Sequence, residues 1–474
     1  MPTPDQPDTA RPTASLGEAR ELAERDPARP CWHFRPPSRW MNDPNGTIFH
    51  NGYYHLFYQT NPYGDSWGTM HWGHARSRDL VHWEHLPVAL APATELGEKH
   101  CYSGCATVNA RGEPLLIYTS IGERDPEQWA AVGDSDLLTW RRHPANPLLT
   151  MESHPGMHIA EWRDPFVFEH EGRTLMLVGG KLLKTDGGNP ACFIYESTDP
   201  ERVSWRYRGI FYRHPNTAYP HFECPNICRL GPKWVLLSAF ELRTVEYVVG
   251  DIDWKTLAFR AERQGILDWS AKGEGALYAT NLFHAPDGRT VLMAWAKGFK
   301  EGAGWNGCQS LPRVISLDAQ GRLVQTPVAE LAALRTMGAE LAPLTVDNES
   351  RTLEMVGGDS LEIELEADVS AAEAFTMELR RSADGRSSVP LHYQDGRLEV
   401  QRSVMEVPDV TAKGVLSLRV FMDRSLVEVF ACGGAACTTS IAYKREFDNE
   451  IALESVGGPV RLNKLNIWKM RSIW

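Results

Sequence analysis

GTIFHNGYYHLFY, Gly46–Tyr58, places two apolar-rich runs on either side of His-Asn-Gly. A short turn ending in Gly between two strand-like runs reads as a β-hairpin. The same design of strand, turn ending in Gly, and second apolar strand returns in CATVNARGEPLLIY, FVFEHEGRTLMLV, NICRLGPKWVLLS and NLFHAPDGRTVLMAW. The turn glycines are Gly52, Gly112, Gly172, Gly231 and Gly288, spaced by 60, 60, 59 and 57 residues. Repetition at a fixed period signals a repeat architecture, and five units of about four strands each spell a five-bladed β-propeller over about residues 31–335.

A second echo follows the first four hairpins: SRDLVHWEH, DSDLLTWRRH, STDPERVSWRYR and DWKTLAFRAE, with aromatics at Trp83, Trp140, Trp205 and Phe259. Each suits an outer hairpin strand. From about residue 345 the beat stops, and segments such as SLEIELEADV, AFTMELRRS and VLSLRVFMDRSLVEVF alternate apolar and polar residues as a β-sandwich over 345–474. Residues 323–338 read as a helical connector. Residues 1–30 read as a disordered tail and a short helix through about Glu24, started by a capping box at Ser15 and Glu18. The fold class is therefore all-β.

The 474 residues carry a formal charge of −12, with 23% charged and 42% hydrophobic residues. That balance argues against nucleic-acid or anionic-membrane partners, which reward a basic face, and favours a neutral or weakly charged small molecule. The polar N-terminus has no apolar run for a leader or span, so a cytoplasmic protein is expected. Nine cysteines then read as reduced, buried, inert thiols; Cys101/Cys105 and Cys224/Cys228 do not match a zinc spacing. His71 and His74 of HWGH read as structural, and no metal or cofactor is expected.

The five lead-ins to the hairpins are WMNDPNG, YSGC, EWRDP, HFECP and LYAT. Three bring a carboxyl: Asp43, Asp164 and Glu223. The first strands of propeller blades line a common channel, so acids at equivalent positions would converge despite their separation in sequence. Like charges raise one another's pKa, and carboxyls with separated pKa values cleave glycosidic bonds. Around them, Trp40, Trp67, Trp72, Tyr102 and Phe222 could offer faces to a sugar ring, and Asn42, Gln59 and Ser103 could pair with its hydroxyls.

WMNDPNG, FYQTNP, HWGHARSRDLVHW, YSGC, WRDPFVF, FECP, the W-N-G-x-x-S-L-P-R-V stretch from Trp305 and FMDRSLVEVF together resemble glycoside hydrolase family 32, the family of invertases, fructanases and sucrose-6-phosphate hydrolases. The resemblance covers about residues 31–474 and implies a five-bladed propeller with a C-terminal sandwich. It implies Asp43 as nucleophile, Glu223 as acid/base and Asp164 as transition-state stabiliser, with Asn42, Gln59, Trp67, Ser103 and Arg163 binding fructose. Two positions depart from the family pattern: Cys105 ends Y-S-G-C where F-S-G-S is common, and Asn226 follows E-C-P where an acid is frequent. Both bear on subsite preference.

The expected reaction is retaining hydrolysis of terminal β-D-fructofuranosyl residues of sucrose or short fructo-oligosaccharides through a covalent fructosyl-enzyme. Retention calls for carboxyls about 5–5.5 Å apart. Asp43 should be ionised, its charge should raise Glu223, and Arg163 should keep Asp164 ionised. A levan or inulin hydrolase, a fructosyltransferase and a non-catalytic sugar-binding propeller are the alternatives. A phosphorylated sucrose would need a basic subsite, for which Arg124, Lys181, Lys184 and Lys297 are candidates, though each reads first as solvated charge. The sandwich, with Asp423 and Glu428, reads as structural support or as the contact of a homodimer.

Overall fold

The computed structural model describes residues 8–241, 245–270, 276–353 and 357–474. The start of the expected disordered tail, 1–7, and residues 354–356 of the first sandwich segment lie outside the described residues. The chain divides into two compact units. One contains residues up to Ala23, Arg35–Ile266 and Tyr278–Gln309; the other contains Glu24–Phe34, Leu267–Leu277 and Ser310–Trp474.

The first unit holds four antiparallel four-stranded meanders in succession, the first of which gains Trp305–Asn306 as a parallel fifth strand beside Arg39–His50. They are Arg39–His50, Tyr53–Asn61, His71–Ser77 and Trp83–Leu90; then Glu98–Val108, Pro114–Gly122, Glu127–Gly133 and Trp140–Arg142; then Ile159–His170, Arg173–Leu182, Pro190–Ser197 and Trp205–Arg213; then Glu223–Leu230, Lys233–Ala239, Glu246–Asp253 and Ala258–Ile266. A fifth begins with Leu277–His284 and Thr290–Ala296. The first strands of the first four sheets are neighbours in turn, as blades around an axis require. All five turn glycines have φ between 62° and 87°, and nothing lies within 4 Å of a Cβ placed on any of them. Backbone conformation, not space, requires glycine there.

The second echo also has a physical cause. Leu80, Leu137, Arg202 and Leu257 all take φ near +60°. Asp79, Asp134, Asp199 and Asp253 accept the backbone N–H groups of these loops. The indoles of Trp83, Trp140 and Trp205 donate to the carbonyls of the left-handed residues at 3.1, 3.2 and 3.0 Å. Asp, a strained residue and an aromatic thus form one repeated corner.

The second unit contains a hairpin, Arg313–Leu317 with Leu323–Pro327, and two larger antiparallel sheets. Ile363, Leu365, Val420 and Val429 from one sheet pack with Met377, Leu379, Leu391 and Leu453 from the other in a shared apolar core. That is a β-sandwich, and the chain is all-β, propeller followed by sandwich. The run FMDRSLVEVF is structural here. Asp423 accepts from the backbone N–H groups of Cys31, Trp32 and His33 at 2.7–2.9 Å, and its Oδ2 lies 2.8 Å from His33 Nδ1. Glu428 meets His33 Nε2 at 3.2 Å and Arg313 Nη2 at 2.8 Å, with every one of these side chains buried. Two carboxylates facing both ring nitrogens outweigh burial and hold the His33 pKa up at about 9.

Two local expectations fail. Residues 323–338 are not a helical connector but a strand, a 3-10 segment Ala329–Leu334 and a further strand Arg335–Glu340. The apolar run is too short for an independent helix, and LVQTP finds a ladder partner in Arg313–Leu317. The N-terminal helix starts at Ala10, ahead of the supposed capping box, and the Ser15 hydroxyl instead donates to the carbonyl of Pro62 at 2.8 Å.

Candidate active site

The ladder positions the acids. Met41 pairs with Thr60 and Pro44 with Tyr58, so Asn42 and Asp43 together oppose a single residue, Gln59. The same two-for-one bulge separates Cys101 from Gly104, Arg163 from Phe166, and Glu223 from Asn226. Bulges re-aim side chains near functional sites. In this register the acids are not equivalent, as the sequence argument assumed. Glu223 precedes its bulge, Asp164 is the first extra residue and Asp43 the second. Asp164 and Cys224, both first extra residues, have φ of 65° and 46°, strained values for side chains of these types.

The bulges open on a cavity of about 360 Å³ lined by Asn42, Asp43, Gln59, Trp67, Tyr102, Arg163, Asp164 and Glu223, with four residues the sequence reading did not place there: Glu241, Tyr278, Trp295 and Lys297. Tyr278 had a signal, since it belongs to the fifth lead-in, LYAT. Lys297 was noted only as surface charge; its ammonium stands 4.6 Å from the centre of the Tyr278 ring. Trp67 is 52% exposed, which puts it at the rim, with His100 and Tyr102 beside it at 5.2 and 6.4 Å.

A relay of hydrogen bonds backs Asp43. Trp40 Nε1 donates to Asn42 Oδ1 at 2.8 Å, and Asn42 Nδ2 donates to Gln59 Oε1 at 2.8 Å and Asp43 Oδ1 at 3.2 Å. Gln59 Nε2 donates to Ser103 Oγ, which donates to Asp43 Oδ2, both at 2.6 Å. Ser103 and Trp40 thus act behind the cavity wall. The Cys224 thiol lies 3.6 Å from Oδ2 of both Asp43 and Asp164, so this cysteine is not an inert core thiol. Its backbone N–H donates to Asp164 Oδ2 at 2.9 Å. Glu223 is held by three groups: His221 Nε2 at 2.7 Å and Arg163 Nη2 at 3.1 Å on Oε1, and the Tyr278 hydroxyl on Oε2.

The proton affinities follow from these partners and reverse the sequence expectation. Burial, with the nearby Glu223 charge, pushes Asp43 up against the pull of Ser103 and Asn42. Burial lifts Asp164 to about 7 although Arg163 opposes it. Burial also works against charge on Glu223, yet the His221 hydrogen bond, the Arg163 charge and Tyr278 hold it below the usual range. Arg163 therefore serves Glu223 more closely than Asp164.

Other expectations resolve by packing. Trp72 and Phe222 are fully buried and offer no face to a ligand; Trp72 donates to the Tyr102 carbonyl at 3.0 Å, and Phe222 packs on Phe240. His74 pairs with His55 at 3.0 Å and stacks on Phe57, and His71 bonds the Thr69 carbonyl, so both are structural. Arg124 pairs with Glu127, and Lys181 caps the Tyr219 carbonyl.

A propeller whose inner strands bring three carboxyls to one polar, aromatic-rimmed cavity has the architecture of a carbohydrate-cleaving enzyme. The chain belongs to glycosyl hydrolase family 32 and is a glycoside hydrolase: the family's N-terminal domain model matches residues 33–327 and its C-terminal model residues 330–469. It is 31% identical to a levanase of Bacillus subtilis over 94% of this chain and 71% of that one, and 30% identical to a sucrose-6-phosphate hydrolase of Escherichia coli over 93% and 94%. Among solved structures, sucrose-6-phosphate hydrolase from Lactobacillus gasseri superposes with a TM-score of 0.83 at 26% identity, covering 97% of each chain. Fructan 1-exohydrolase IIa from Cichorium intybus gives 0.82 at 25%, covering 94% and 98%.

Proposed function

We propose that the three-acid cavity is the catalytic site of a retaining β-fructofuranosidase acting on sucrose or short fructo-oligosaccharides. The observation that carries this reading is the meeting of Asp43, Asp164 and Glu223 in one cavity, backed by family membership and by relatives that include a levanase and sucrose-6-phosphate hydrolases. Asp43, supported by Ser103 and Asn42, attacks the anomeric C2. Glu223 protonates the leaving oxygen and then activates the water that hydrolyses the fructosyl ester. Asp164, braced by the Cys224 N–H, holds fructose hydroxyls, with Asn42, Gln59, Arg163 and Trp67 completing the fructose contacts and Trp40, Tyr102 and Ser103 supporting them.

The cavity charge favours an unphosphorylated substrate. Four carboxyls, Asp43, Asp164, Glu223 and Glu241, face only two cations, Arg163 and Lys297, among its described lining residues. A phosphate would add negative charge to a site already short of positive charge. We assign catalysis to residues 31–335 and a supporting role to the sandwich of 345–474. No described helix is long and apolar enough to cross a membrane. We read the protein as cytoplasmic, in keeping with nine cysteines none of which is in a disulfide.

The test is fructose release from sucrose by wild type, Asp43→Asn and Glu223→Gln. Each variant should lose activity by about 10³-fold or more, in line with removal of a nucleophile or general acid. Unchanged turnover in either variant would refute the site. Faster cleavage of levan or inulin than of sucrose would keep the chemistry and change the substrate.

A further inference from the structure

The acid role of Glu223 requires a proton that its surroundings disfavour: Arg163 and His221 both approach Oε1. The geometry of His221 offers a source for that proton. Its Nε2 lies 2.7 Å from Glu223 Oε1 and also contacts Arg163 Nη2. One ring nitrogen carries either a hydrogen or a lone pair, never both. With a hydrogen, Nε2 donates to the Glu223 carboxylate. Without it, Nε2 accepts from a protonated Glu223 or from Arg163. Both arrangements keep the contact between Nε2 and Oε1 and differ by one proton moved across 2.7 Å; in the first, Arg163 Nη2 donates to Oε1 and not to Nε2.

We propose that His221 and Glu223 share one catalytic proton, His221 storing it as the imidazolium and passing it to Glu223 when a glycoside occupies the cavity. The inference rests on Glu223 being the acid/base. His221 acts through Glu223 and is a positioning residue. In the resting site the proton is on Nε2 and Glu223 is a carboxylate. With substrate bound, the proton moves to Oε1. As Asp43 attacks C2, the bond from C2 to the leaving oxygen breaks and that oxygen takes the proton from Glu223. Water then attacks C2, its proton goes to Glu223, and the bond from C2 to Asp43 breaks, freeing the carboxylate. The proton returns to Nε2, and the net change is the addition of one water across the glycosidic bond.

The surroundings suit this exchange. His221 is buried, so bulk water has little access to the contact. The charged and titratable groups facing the pair are Asp43 from Arg39–His50, Glu161, Arg163 and Asp164 from Ile159–His170, Tyr102 beneath Arg163 at 5.8 Å, Tyr278 on Oε2, Lys297 above the Tyr278 ring, and Cys224 next in the chain. Of these, only Arg163 also reaches Oε1, and a guanidinium does not give up its proton.

The experiment compares wild type, His221→Gln, His221→Asn and Glu223→Gln on sucrose and on β-D-fructofuranosyl fluoride, whose leaving group needs little protonation. Both His221 variants should lose kcat on sucrose by at least about tenfold, with kcat on the fluoride within about threefold, and the pH profile of kcat/KM on sucrose should shift. Retained fluoride turnover shows that the variants are folded. Equal losses on both substrates, or an unchanged sucrose profile in either variant, would overturn the inference. Full sucrose activity in Glu223→Gln would instead overturn the assignment of Glu223 on which it rests.

Discussion

Ser103→Ala tests how Asp43, the proposed nucleophile, is kept ionised. The Ser103 hydroxyl donates to Asp43 Oδ2 at 2.6 Å, in a spot where Ser103 is 2% exposed and water cannot substitute. A hydrogen bond to a buried charge contributes about 1.5–3 kcal/mol. Its loss should raise the Asp43 pKa further beyond the upward shift that burial already causes, and a free energy of that size is about 10–100-fold in the ionised fraction. In the proposed mechanism only ionised Asp43 attacks, so the acid limb of kcat/KM should move to higher pH. Below the new limb the rate should fall about 10–100-fold, recovering at alkaline pH. The assay is fructose release from sucrose between about pH 4 and 9, with Ser103→Thr as the variant that keeps the hydroxyl and should restore the profile. An alanine profile that superimposes on wild type would refute both the ionised role of Asp43 and the relay behind it.

Two further outcomes concern stability. Asp164 has a folded pKa of about 7 against 3.8 as its ordinary value, so its charge destabilises the fold, by nothing below pH 3.8 and increasingly up to pH 7. Asp164→Asn should therefore raise Tm at pH 7.5, by the equivalent of up to ~4 kcal/mol, with the gain vanishing near pH 4 and activity lost throughout; calorimetry showing no pH-dependent gain would contradict this. His33 has a folded value of about 9, raised above 6.5, so its contribution is complete below pH 6.5 and is lost as pH rises through 9. The urea midpoint of wild type should fall over that window by the equivalent of ~3 kcal/mol, and His33→Gln should flatten the fall; a midpoint that is level from pH 6 to 10 would refute the role of His33.

How far the sequence reaches is clear from particular residues. Gly52, Gly112, Gly172, Gly231 and Gly288 mark the blades because positive φ is a local demand that a local residue must meet. The corner aspartates are legible for the same reason: their partners lie two to five residues away. The apolar alternation of the sandwich likewise reports which face is buried. The identities of Asp43, Asp164 and Glu223 stand out against that repeated background because a carboxyl interrupts a strand entry.

What only the tertiary structure decides is relational. Trp72 and Trp67 are five residues apart, yet one is sealed in the core and the other stands at the rim, since burial depends on which neighbouring strands close over each. The bulges stagger the three acids over successive ladder positions, a register set by hydrogen bonds between strands rather than by the residues themselves. Glu241, Tyr278, Trp295 and Lys297 reach the cavity from far along the chain. The proton affinities depend on those meetings most of all. Sequence alone supplies the carboxyls, but burial and the approach of Arg163, His221 and Tyr278 to Glu223 decide which of them carries charge, because electrostatic energy is set by distance and dielectric, neither of which is written in the order of residues.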